Sequence, residues 1–249
     1  MTTAGAIQAA AQPTTNRLSK IHALLTVQSI VVILVSINRL SSLTLAYVAT
    51  NEFLRWVDLL NMLVLPLISL VAFYLLKKQL EYDSPALNNR WHLILSVAFI
   101  VGIYLLGASY GDHEVINYLH ARFCADDQTS PLCQIVIFND DEFSHWVFFT
   151  GFVLVNAALL LLQVLFPHRE PLTGRDKVLL AVNGVFIGLG IFANLAFEVI
   201  GLDLYVVALL ALLAVYLWRR YGVQPLVVYY SVAYVLGLAA TGVYKLAAG

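Results

Sequence analysis

The sequence predicts an all-α fold: a polytopic integral membrane seven-helix bundle, with the N-terminus cytoplasmic and the C-terminus outside. Three observations carry that reading. Of the 249 residues 61% are hydrophobic and 12% charged, about half the charged share of an ordinary soluble domain, and the mean hydropathy is +0.82. Seven stretches are long and apolar enough to cross about 30 Å of hydrocarbon, where every backbone polar group must be paired internally. The basic residues between those stretches fall in alternate connections, as retention of Lys and Arg on the cytoplasmic side requires. A formal net charge of -1 leaves no clustered basic surface for nucleic acid.

The first span is read over Ile21–Ile37, behind Arg17 and Lys20. The residues ahead of it are small and polar without a basic n-region, which predicts a retained anchor and not a cleaved signal. The second, Val57–Leu76, begins at Trp56 and is followed by Lys77, Lys78 and Arg90. The third and fourth, Trp91–Tyr110 and Trp146–Phe166, lead to Arg169, Arg175 and Lys177. In the fifth, Val178–Phe197, Gly184, Gly188 and Gly190 put small residues at close-packing spacing, so that helix belongs inside the bundle. Leu204–Trp218 precedes Arg219 and Arg220, and Leu226–Tyr244 is the last span. Every tryptophan falls at a predicted helix end, where an indole prefers the headgroup layer. The opposite connections hold Arg39 and Arg55, then Arg122, then no basic residue around Gly201. This orientation is the reverse of the rhodopsins, and a retinal protein also needs a Schiff-base lysine within its last helix, whereas Lys245 lies at the very end of that span.

Residues 1–249 read as a single transmembrane domain, within which 111–145 form an outward loop, acidic and rich in histidine. That segment holds Asp112, Glu114, Asp126, Asp127, Asp140, Asp141 and Glu142, seven of the chain's 15 acids, and His113, His120 and His145, three of its six histidines. Cys124 and Cys133, the only cysteines, are expected to form a disulfide in an oxidising compartment and to stabilise the segment by roughly 2–3 kcal/mol.

Imidazole and carboxylate together suit a divalent transition metal: zinc, iron or copper. His113, His120, Asp141 and His145 are the candidate ligands. On an unbroken helix His113 and His120 share a stripe but stand about 10.5 Å apart, too far for one ion without a bend. Asp141 and His145 have the i, i+4 spacing, and Glu142 and His145 the Glu-x-x-His spacing of di-metal bundles, present in one copy. Asp141, Glu142 and Glu198 are the candidate catalytic carboxylates. His145, Phe149, Phe152 and Asn156 line one face of the fourth span and Gly190, Asn194 and Glu198 one face of the fifth. Polar groups at such depth face a cavity or another helix, so an outward funnel between these faces is expected. Asp58, Asn61 and Glu52 are further candidates near the same end.

Ser109 and His113, in the run SYGDH, resemble the start of the active-site pattern of the alkaline ceramidase and adiponectin-receptor superfamily of seven-helix zinc hydrolases. Those families add histidines from the last helix, and Leu226–Tyr244 holds none. Residues 107–110 (GASY) and Asp141 with His145 resemble the C subunit of copper membrane monooxygenases. That family's further histidine is missing, Leu132 standing thirteen before His145. Each resemblance covers under a fifth of the chain.

The expectation is a metal-dependent membrane enzyme, hydrolase or oxidase, acting on membrane lipid or another apolar substrate from the outer leaflet of a plasma membrane or bacterial inner membrane. The alternatives are a transporter, against which the apolar inner halves of the spans argue, and an accessory or receptor subunit. A homo-oligomer or a larger membrane complex fits any of the three.

Overall fold

The computed structural model describes residues 14–82, 85–197 and 201–248. The described residues are helical apart from short connections, and seven helices are long and apolar enough to cross a membrane. They are α1 (Thr14–Asn38), α2 (Trp56–Glu81), α3 (Arg90–Cys124), α4 (Pro131–Leu165), α5 (Gly174–Phe197), α6 (Leu202–Tyr221) and α7 (Pro225–Ala248). Length and composition are those of a multi-pass membrane protein. Large apolar side chains such as Leu67, Ile100, Tyr104 and Leu212 stand exposed along the helix faces, an arrangement soluble monomers avoid and lipid accommodates.

The core lies where α4 and α7 pass through the middle, α7 against α5 and α6, α4 against α3 and α6, and α1 against α2 and α5. Glycines set the closest approaches. A Cβ on Gly184 would lie 2.7 Å from the Tyr229 carbonyl oxygen, and one on Gly188 2.9 Å from that of Ala233. Gly102 and Gly151 do the same for α3 and α4, a Cβ on Gly151 falling 2.8 Å from the Leu106 nitrogen. Of the small residues noted on α5, Gly184 and Gly188 therefore face the backbone of α7, and Gly190 faces Val32 of α1.

Polar side chains within the bundle tie helices together. Gln28 on α1 and Ser69 on α2 bond reciprocally, Nε2 to the Ser69 carbonyl at 2.9 Å and the Ser69 hydroxyl to Oε1 at 2.6 Å. Ser29 donates to Oδ1 of Asn183 on α5 at 2.8 Å. At the end opposite His113, His120 and His145, Arg17 donates to the carbonyls of Gln79 and Leu80, both at 2.7 Å, closing the C-terminus of α2. Lys77 and His92 both pair with Glu81.

The segment expected as a loop departs from expectation. Residues 111–124 continue α3, residues 131–145 open α4, and only 125–130 lie outside helix. α3 and α4 each run 35 residues, about 52 Å at 1.5 Å per residue, so each exceeds the hydrocarbon by about 20 Å. The charge of this stretch suggested a loop because it is not membrane-like, yet nothing in it stops a helix before Cys124. Trp146, 47% exposed, sits well inside α4, on a helix that begins fifteen residues before it at Pro131. The Cys124–Cys133 disulfide, Cα–Cα 5.4 Å, joins the two tips.

Candidate functional site

The site is built where the projecting ends of α3 and α4 face each other. His113, Asn117 and His120 lie on one stripe of α3, and they converge on Asp140 of α4. The His120 Nδ1 lies 2.8 Å from Asp140 Oδ2 and the Asn117 amide donates to the same oxygen at 3.3 Å. The His113 Nδ1 lies 3.1 Å from Oδ1, an ion-pair contact, and Oδ1 accepts no hydrogen bond among the described residues. Asp140 is 2% exposed. One carboxylate set between two imidazoles two turns apart bridges the separation that neither histidine could close alone. With Asp140 ionised, the bond to His120 needs a proton on Nδ1.

Asp140 is the residue that sequence reasoning missed. Regular helical spacing from His145 selects Asp141 (i, i+4) and Glu142 (i, i+3), but Asn139–Phe143 forms a π-turn. With i→i+5 bonding the position one turn before His145 is five back, which is Asp140. A matching π-turn, His120–Cys124, ends α3. The signal in the sequence was the run of three acids itself, in which helical register chose the wrong member.

Among the described residues His120, Asp140 and Asp141 each present one ligand atom, all within 4.8 Å of one another. Asp141 is exposed, as is Glu142, which lies outside that group. His145 is brought beside His113, ring centroids 5.2 Å apart and edge to face. Ser144 links the two helices: its carbonyl accepts from the Ser109 hydroxyl at 2.8 Å, and its own hydroxyl donates to the Asp140 carbonyl at 2.7 Å. Glu198 lies outside the described residues.

Three earlier candidates are engaged elsewhere. Arg55 clasps Asp58 through Nε at 2.8 Å and a terminal nitrogen at 2.7 Å and lies 5.1 Å over the Tyr118 ring. Asn61 accepts from Asn38 at 3.1 Å. The Glu52 carbonyl accepts from Tyr118 and Arg122. Arg39 forms an ion pair with Glu114, whose other oxygen, Oε2, has no hydrogen-bond partner among the described residues. Arg39, Arg55 and Arg122 at this end are thus each matched by a specific acid, Glu114, Asp58 and Glu52.

A cavity of about 170 Å³ lies beneath this cluster, walled by His113, His145, Glu114, Arg39 and Asn194. A larger chamber of about 290 Å³ continues into the bundle. Tyr110, Phe148, Phe149 and Asn194 belong to both walls, and Phe152 and Asn156 to the chamber. The face of α4 expected to line a cavity therefore lines two adjoining ones.

No protein-family model matches the chain, and neither does any curated protein or solved structure. The site's geometry is accordingly the basis for a functional reading.

Proposed function

We propose that the protein is a metal-dependent membrane enzyme that holds a divalent transition metal at His120, Asp140 and Asp141 and acts on an apolar, lipid-like substrate in the adjoining cavities. The observation that carries this is Asp140: a buried carboxylate set between His113 and His120, one oxygen of which lies 3.1 Å from His113 yet accepts no hydrogen bond among the described residues. Burying an unsatisfied carboxylate oxygen is costly, and Glu114 Oε2 and Asp112 Oδ2 repeat the feature nearby. A cation supplies what these oxygens lack.

The residues fit such an ion. Imidazole with two carboxylates is a donor set for zinc or iron. A bound metal supplies Lewis acidity and an activated water at neutral pH. The chain's own residues do the rest. The phenylalanines of α4 keep the cavity walls apolar. His113, placed beside Asp140 and on the cavity wall, is positioned to take up a proton there.

Elemental mass spectrometry of protein purified in mild detergent, without chelator or histidine tag, tests the reading. Near-stoichiometric metal in the wild type, lost in His120→Ala and in Asp140→Asn, is expected. Zinc would assign hydrolytic chemistry, iron or copper oxidative chemistry. A wild type without metal, or variants that keep it, would refute the proposal.

A further inference from the structure

The geometry points to a single-chain amphiphile with an acidic head, carboxylate or phosphate, as the molecule the two cavities hold: the head meets Arg39 in the smaller one and the chain lies in the larger. Side chains that reach open space carry the argument. The Arg39 side chain is 38% exposed and stands in the wall of the smaller cavity, and among the described residues only its Nη2 is hydrogen-bonded, to Glu114. The other two guanidinium nitrogens keep their donors. Glu114 shares that wall but presents no competing charge, since its side chain is 2% exposed, with Oε1 taken by Arg39 and Oε2 enclosed. Asp140 lines neither cavity. His113, whose side chain is 25% exposed, and His145 stand in the same wall. A head entering here meets a guanidinium beside two imidazoles, and a guanidinium holds carboxylate or phosphate through charge-assisted, often bidentate bonds.

The walls change from polar to apolar in the order such a molecule needs. On α1, Arg39 lines the smaller cavity, Val35 lines both, and Val31 and Gln28 line the chamber. Arg39 and Gln28 are eleven residues apart, about 16 Å along the helix. On α4 the order repeats, from His145 through Phe148 and Phe149 to Phe152. Polar groups of the chamber are engaged within the protein: Gln28 and Ser69 bond each other, and the Asn156 amide donates to the Phe152 carbonyl at 2.7 Å. What remains for a ligand there is apolar surface. A volume of about 290 Å³ is at the low end for small-molecule pockets, which suits one chain and not the two of a phospholipid. Ser36 of α1 and Ala193 of α5 line the chamber and are exposed, so a chain enters sideways between these helices. The inference deepens the enzyme reading and rests on it for one step only, that the bound molecule is the substrate.

The test measures binding of palmitic acid, hexadecyl phosphate and hexadecanol at pH 8, by native mass spectrometry of the full chain in a non-ionic detergent. At least one acid is expected to bind about tenfold tighter than the alcohol, the gain of one charge-assisted hydrogen bond, and the acid that gains most identifies carboxylate or phosphate. Arg39→Met alone strands the Glu114 carboxylate, so it is combined with Glu114→Leu, which leaves no buried charge behind. In that double variant the acids are expected to fall to the affinity of the alcohol, and the alcohol to bind as in the wild type. Ile187→Trp, which places bulk in the chamber, is expected to lose all three probes, and Val31→Trp does the same from α1 should the first not fold. Equal binding of acids and alcohol by the wild type overturns the inference. So does an acid preference that survives in the double variant, or unchanged binding in a folded chamber variant. Metal content measured on the same samples separates the two readings: an acid preference without metal leaves the amphiphile site standing and removes the enzyme, and metal without the preference does the reverse.

Discussion

Breaking the Arg39–Glu114 pair is the most direct test of how this end of the bundle carries its charge. Glu114 is 1% exposed, and its second oxygen has no partner among the described residues. Arg39→Met keeps the length of the side chain and removes the guanidinium, leaving a carboxylate in a site built for an ion pair. Removing one partner of a fully buried pair costs about 3–5 kcal/mol. The Arg39 side chain is 38% exposed, so water already screens part of the attraction, and about 2–3 kcal/mol is expected. For a chain of this size that lowers the midpoint of thermal unfolding by about 4–12 °C. Replacing both partners, Arg39→Met with Glu114→Leu, is expected to return stability to within about 1 kcal/mol of the wild type, because no stranded charge remains. Unfolding by sodium dodecyl sulfate from mild detergent micelles, followed by tryptophan fluorescence, measures all corners of the cycle. A coupling below about 0.5 kcal/mol, with the double variant as unstable as the single, would refute the reasoning.

Further outcomes follow from the packing and from the tip. Gly184→Val is expected to destabilise by about 1–3 kcal/mol or more, since its side chain meets the α7 backbone, whereas Gly242→Ala, with nothing within 4 Å of the added carbon, is expected to stabilise by about 0.5–1 kcal/mol; the same detergent unfolding assay distinguishes them. Cys124→Ser with Cys133→Ser is expected to cost about 3 kcal/mol on the chain-entropy estimate, and non-reducing mass spectrometry of the mature wild type should find no free thiol. At the turn between α3 and α4, the Ser130 hydroxyl and the backbone N–H groups of Ser130 and Thr129 hold the Asp127 carboxyl below the usual carboxylate range. A depressed folded pKa contributes stability that is present above the unfolded value of about 3.9 and lost as pH falls through the folded one. Amide hydrogen exchange at Thr129 and Ser130, corrected for intrinsic rates, should therefore rise below that range and become pH-independent in Asp127→Asn.

Seven spans, their approximate limits apart from the extended ends of α3 and α4, and the close-packing glycines of α5 were legible in the sequence because hydrocarbon imposes a length and a composition on anything that crosses it, and that constraint is local. The disulfide was legible for the same kind of reason, two cysteines close in sequence with no other partner. The stripe of His113, Asn117 and His120 was visible too, as a property of one helix. The residue that completes the stripe was not. Which acid of Asp140, Asp141 and Glu142 turns inward depends on a π-turn that shifts the register by one residue, and on which face of α4 meets α3, and both are settled by contacts between helices. The same holds for Tyr230 and Tyr234. In sequence they are aromatic residues in an apolar span. They become two enclosed hydroxyls without a hydrogen-bond partner among the described residues only because α7 packs against α5 at its glycines. Periodicity reports what a helix is made of, and the partner each face finds is decided by tertiary packing.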